Sequence, residues 1–149
     1  MKKIFPVVAV SVLIAALAFL NYNSPDKKTP QAIIGNHIFN LAIAKTDREK
    51  AIGLAKYKNI PQNFGILFPF EKPDYYAFWM KGMRFPIDII YIKQNKIVDI
   101  HENIQPPKSD NEQLPIIKPK ETSDMVLEIN ANLSDKYNFK IGDLVEINY

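Results

Sequence analysis

The sequence predicts a mostly β fold: a compact antiparallel β-sandwich or barrel-like domain with one or two short helices, preceded by an N-terminal apolar helix. Two observations carry this expectation. Short apolar runs recur between breaks that hold Gly, Asn or Pro, as strands separated by turns do. Only Thr46-Asp47-Arg48-Glu49 carries a full helix-start signal, a capping box with Thr46 as N-cap and Glu49 reaching back to it.

The chain opens with Met1, Lys2 and Lys3 before an apolar run from Ile4 to Leu20, the pattern of a charged region and hydrophobic core in an export signal. Ala16-Leu17-Ala18 offers a small-x-small cleavage pattern. An uncleaved membrane anchor is the alternative, since the run lies at the lower edge of what spans a hydrocarbon core of about 30 Å. Residues 1–20 are thus a signal peptide or anchor, 21–31 a polar, Pro-bearing flexible tether, and 32–149 a single β-rich domain. With either leader the lysines stay inside and the domain is extracytoplasmic, membrane-anchored or secreted.

Within the domain, Gly35-Asn36 separates Ala32-Ile33-Ile34 from an alternating stretch, His37 to Lys45, as a Gly-first hairpin turn does. Phe39, Leu41 and Ile43 share one face of that second strand with His37, which reads as a structural strand-end histidine. Gly53 suits the C-terminal cap of the helix begun at Thr46. Phe64 to Phe70 has the length of a strand that Pro69 confines to an edge or ends, with a turn over Glu71 to Asp74. Two strands, Tyr75 to Met80 and Phe85 to Ile92, should flank a turn at Lys81-Gly82-Met83-Arg84. Ile97 to Ile100 follows a turn at Lys93 to Lys96. From Ile104 to Glu121 the chain carries four prolines and few regular signals, the best candidate for a flap over a site. Met125 to Asn130 is a strand, Leu133 to Tyr137 a helical turn, and Leu144 to Tyr149 a terminal strand admitted by Gly142-Asp143.

Composition excludes several functions. The formal net charge is +3, and Lys2 and Lys3 supply two of those charges, so no basic stripe points to nucleic acid. Cysteine is absent, which removes disulfides, thiolate metal sites and a cysteine nucleophile. His37 and His101 lack ligand-spaced partners, so no metal and no cofactor is expected. No nucleotide fingerprint or Ser/His/Asp arrangement is present.

The segment Phe78 to Ile92, FWMKGMRFPIDIIYI, holds the single tryptophan, two cations and one acid. Strand alternation puts Ile87, Ile89 and Tyr91 on one face and Asp88, Ile90 and Ile92 on the other, so Asp88 is a carboxylate in an apolar row. It needs a partner, and Lys81 and Arg84 are the nearest candidates. Glu128, between Leu127 and Ile129, is the second such acid. These five residues, Trp79, Lys81, Arg84, Asp88 and Glu128, form the candidate ligand-binding set.

The same segment resembles the hallmark of an uncharacterised bacterial and archaeal family, domain of unknown function 192, whose members read close to FWMKNTxIPLDIIFI. The resemblance extends to Ile52-Gly53-Leu54, Gly65-Ile66-Leu67-Phe68, Val126-Leu127-Glu128 with Asn130-Ala131, and Ile141-Gly142-Asp143. Here Gly82 and Met83 stand where the family usually has Asn and Thr, and Asn132 where it often has Gly. The resemblance implies a compact β-sandwich-like fold, often behind an export signal, with no established activity.

Three functions remain in view. The leading one is an exported or membrane-tethered, non-enzymatic domain that binds a small ligand, an envelope component or a partner protein. The second is a hydrolase or lyase using Asp88 and Glu128 as acid and base, which requires both carboxylates in one cleft on one side of the sheet. The third is a purely structural accessory domain. In the structural reading, Asp88 pairs with Lys81 or Arg84, Glu128 satisfies backbone donors near a turn, and Trp79 anchors the core.

Overall fold

The computed structural model describes residues 29–109 and 112–148; the leader and the tether as far as residue 28 lie outside them. Seven strands form one sheet: β1 (Gln31–Ile34), β2 (His37–Ile43), β3 (Phe64–Asp74), β4 (Ile87–Lys93), β5 (Lys96–Ile104), β6 (Ser123–Asn130) and β7 (Val145–Asn148). Among the described residues the two helices, α1 (Asp47–Ile52) and α2 (Leu133–Lys136), are short, and a 3-10 turn over Gly53–Lys56 extends the first.

The spatial order is β5-β4-β6-β3-β2-β1-β7. The sheet curls until its two edge strands meet: Leu144 bridges Lys96, and the Ile97 N–H donates to the Asp143 carbonyl at 2.9 Å. The result is a half-barrel. Every strand pair is antiparallel except β2 with β3. That parallel pair departs from the all-antiparallel expectation because α1 carries the chain back across the sheet, so β3 starts from the same end as β2.

Turn chemistry is as the sequence predicts. Gly35 has φ 57° in the β1–β2 hairpin, and Gln94 and Asn95 both have positive φ between β4 and β5, as a two-residue primed turn requires. Thr46 accepts from the Glu49 N–H, and the Glu49 carboxylate accepts from the Thr46 N–H at 2.8 Å, so the capping box is complete. Gly53 caps the helix with φ 50°.

Alternation places apolar side chains on both faces. Inside the curl, Phe39, Leu41, Leu67, Ile90, Leu127 and Val145 pack together under α2. On the outer face of β3, β6 and β4, Ile66, Phe68, Ile89, Tyr91 and Val126 form a second core. Leu54 of the 3-10 turn, Met80, Met83 and Ile117 cover it. This second core carries the candidate site.

Three elements differ from expectation. Tyr75 to Met80 forms no strand: Phe78 alone bridges Ile117, although exposed Trp79 beside buried Met80 keeps the alternation of an extended chain. β3 continues through Pro69 to Asp74 instead of turning at Glu71. This is possible because β2 pairs only as far as Leu67, leaving the proline nitrogen facing no partner strand on that side, and the β6 register shifts just beyond it. The third is the Pro-rich excursion, whose far end is strapped down. Ile117 exchanges two backbone hydrogen bonds with Phe78, the Tyr91 hydroxyl donates to the Ile117 carbonyl at 3.3 Å, and the Lys120 N–H donates to Asp99 at 2.9 Å.

Candidate functional site

Asp88 and Glu128 sit on neighbouring strands in adjacent register. Asp88 pairs with Ile129 and Ile89 with Glu128, so the two acids point to opposite faces of the sheet. They share no cleft, and an acid/base pair formed by Asp88 and Glu128 is overturned on this geometry.

Asp88 lies on the inner face with no exposure, and neither Lys81 nor Arg84 reaches it. Its Oδ1 accepts from the Asn103 N–H at 2.8 Å and the Asn132 N–H at 2.9 Å, and its Oδ2 accepts from the Ser134 N–H at 2.8 Å. Asn132 caps α2 with φ 64° and no side-chain hydrogen bond of its own, so Asp88 supplies the missing acceptor from an adjacent strand. Asn103 is also at positive φ, 51°. Asp88 therefore fastens two left-handed backbone positions and the start of α2. Its role is structural.

Glu128 is the reverse case. It points from the outer face, is 5% exposed, and its carboxyl has no hydrogen-bond partner among the described residues. Burial alone pushes its pKa up to about 8, because no nearby donor offsets the loss of water. The carboxyl opens into a small pocket of about 20 Å³, room for one water-sized group. Leu54, Phe68 and Met83 make its apolar wall, with Lys50, Trp79 and Lys81 also lining it. Gly53 keeps the space beside the carboxyl clear: a Cβ there would stand 3.6 Å from Glu128 Oε2 and 3.3 Å from the Phe68 ring.

Trp79 is 52% exposed and so is no core anchor; the Lys81 ammonium lies 5.3 Å from its ring centroid. Lys50 holds its ammonium 4.4 Å from the Phe70 centroid, and Phe70 stacks on Tyr76 at 3.5 Å. The structure thus brings Trp79, Lys81 and Glu128 together, adds Lys50, and leaves Asp88 on the other face. Arg84 is exposed and outside the pocket lining. Nor do the described residues of the Pro-rich excursion line the pocket.

Sequence reasoning missed Lys50 and Gly53, whose places depend on how α1 folds over the sheet. It also missed a polar cluster on the same outer face. Buried Asp99 accepts from His101 Nε2 at 3.1 Å, from the Ile100 N–H at 3.0 Å and from the Lys120 N–H, while His101 packs edge-on against Tyr91. Every partner there is internal, and the cluster anchors the strap. His37 stacks on Tyr137 at 3.7 Å beside a wider depression of about 500 Å³ near the β1–β2 turn. Asn36, Asp143 and Leu144 also line that depression, and none of the five candidate residues does. Those residues also hold no cluster of acids and histidines suited to a metal ion.

A curled β-sheet with a buried acid opening beneath an exposed tryptophan defines a small β-domain with one pocket-bearing outer face. The chain belongs to the family domain of unknown function 192, described as an uncharacterized ACR, whose profile matches residues 30–147. Two crystal structures resemble it with TM-scores of 0.68. One is a protein of unknown function from Novosphingobium aromaticivorans, 28% identical, covering 83% of this chain and 89% of that one. The other is a candidate transcription regulator from Sinorhizobium meliloti, 26% identical, covering 79% of this chain and 91% of that one. No curated protein matches the chain significantly.

Proposed function

We propose that this protein is a non-enzymatic binding domain, carried outside the cytoplasm by its N-terminal segment, that captures a small ligand, or a protruding group of an envelope component or partner protein, at the Glu128 pocket. One observation carries the reading: a carboxyl that is almost wholly buried yet unpartnered, at the floor of an opening whose mouth holds a half-exposed tryptophan. An isolated polar group withdrawn from water lowers stability. A purely structural domain gains nothing from holding Glu128 this way, whereas a binding site gains a directed hydrogen-bonding group. Asp99, another carboxylate of this face, is bonded to His101 and to the Ile100 and Lys120 N–H groups and lies outside the pocket lining, which favours binding over hydrolase or lyase chemistry.

Ligand screening by thermal shift tests this reading, because a ligand of the folded state raises the melting temperature by mass action. Hits should lose at least tenfold in affinity in Trp79→Ala and Glu128→Ala. A folded Trp79→Ala protein that binds every hit unchanged would refute the assignment. Protease protection on intact cells tests the location, and a domain shielded inside the cytoplasm would remove the export part of the reading.

A further inference from the structure

Resting on that reading, we infer that the Glu128 pocket takes a small hydroxylated carboxylate of the uronate or hydroxy-acid class, with one ligand oxygen lodged against the Glu128 carboxyl and the negative charge held at the rim by Lys50 and Lys81. Size comes first. A space of about 20 Å³ admits a single hydroxyl or carboxylate oxygen and leaves the rest of the molecule outside, against the mouth. Chemistry comes next. An entering hydroxyl or carboxylate oxygen can hydrogen-bond the Glu128 carboxyl, which a wholly apolar group cannot.

Charge selects the class. Among the described residues Glu128 is the one acid lining the pocket, and Lys50 and Lys81 line it too, their ammonium groups resting on the Phe70 and Trp79 rings. The ionisable residues that share the lining with Glu128 are Lys50 from α1 and Lys81 from the segment before β4, and Tyr91 on β4 feels the Glu128 charge, while β3 contributes Phe68. A cationic ligand would meet two like charges before reaching the floor. An anion meets complementary ones, and its oxygen accepts from the proton that burial keeps on the Glu128 carboxyl near neutral pH.

The test uses a built-in reporter, since Trp79 is the only tryptophan in the chain. Its emission is followed while D-glucuronate, D-glucose and D-glucosamine are titrated in turn at about pH 6 and about pH 9, either side of the Glu128 titration. Glucuronate should change the emission saturably at the lower pH and bind at least tenfold more weakly at the higher. Replacing Lys50 and Lys81 together by Gln should lower its affinity at least tenfold, while Glu128→Gln, which stays neutral, should make the affinity independent of pH. Stronger binding of glucosamine or glucose than of glucuronate would overturn the carboxylate class and leave the pocket standing as a binding site. Glucuronate binding seen by calorimetry with Trp79 emission unchanged would overturn both the class and the pocket. No binding of any of the three sugars by either method overturns the class.

Discussion

Asp88 and Glu128, one residue apart in register on neighbouring strands, face opposite sides of the sheet and meet opposite fates: Asp88 accepts three backbone N–H groups, and Glu128 accepts none. The two buried acids therefore respond differently to substitution and to pH.

Asp88→Ala should destabilise the protein severely. Three N–H groups would lose their acceptor, two of them in backbone already at positive φ, and each buried unsatisfied donor costs about 1–3 kcal/mol. A loss of roughly 3–6 kcal/mol in urea unfolding is expected, enough to unfold a domain of ordinary stability. A loss under about 1 kcal/mol would contradict the fastening role.

Glu128 should make stability fall as pH rises. Its pKa is raised from 4.5 to about 8, so between those values the unfolded chain has released the proton that the folded protein keeps, and unfolding gains. Below about pH 4 the parent and Glu128→Gln should be of similar stability; above about pH 8 the variant should be more stable, by roughly 3–5 kcal/mol at most. Melting temperatures across this range check the sign, and a parent that gains on Glu128→Gln with rising pH would reverse it.

Trp79→Ala should cost little stability, about 1 kcal/mol or less, since half of the side chain is already in water. Its effect belongs to binding. Parallel unfolding and ligand-titration curves separate the two contributions.

Asp99→Ala should loosen the strap without unfolding the sheet. The Lys120 N–H and His101 both lose their acceptor, while the β-ladders remain intact. Limited proteolysis should cut the variant within residues 105–122 several-fold faster than the parent, with the melting temperature lowered far less than in Asp88→Ala.

Gly65→Ala should be poorly tolerated. A Cβ at Gly65 would stand 2.7 Å from the Glu128 carbonyl oxygen on the neighbouring strand, backbone that cannot move aside cheaply. Overpacking of this kind costs about 1–3 kcal/mol, measurable by urea unfolding.

The sequence by itself determined what is local. Period-two alternation sorted Ile87, Ile89 and Tyr91 from Asp88, Ile90 and Ile92, and Phe39 and Leu41 from Ala42, because a strand's side chains must alternate wherever the strand lies. Thr46 with Glu49, Gly35, Gly53 and Asn95 declared the caps and turns through backbone preferences that act within a few residues. Tertiary structure alone decided the rest. Whether Asp88 and Glu128 share a face depends on the register between β4 and β6, strands with residues 94–122 between them, and a one-residue slip would put both acids on one face. Trp79 became a half-exposed mouth residue, rather than a core anchor, because its segment joins no ladder and the core beside it is filled by Met80, Met83 and Leu54. Lys50 reached the pocket only through the fold of α1 over the sheet. Alternation and capping are properties of neighbouring residues; a site assembled from β3, β6, α1 and the segment before β4 is set by packing across the whole chain.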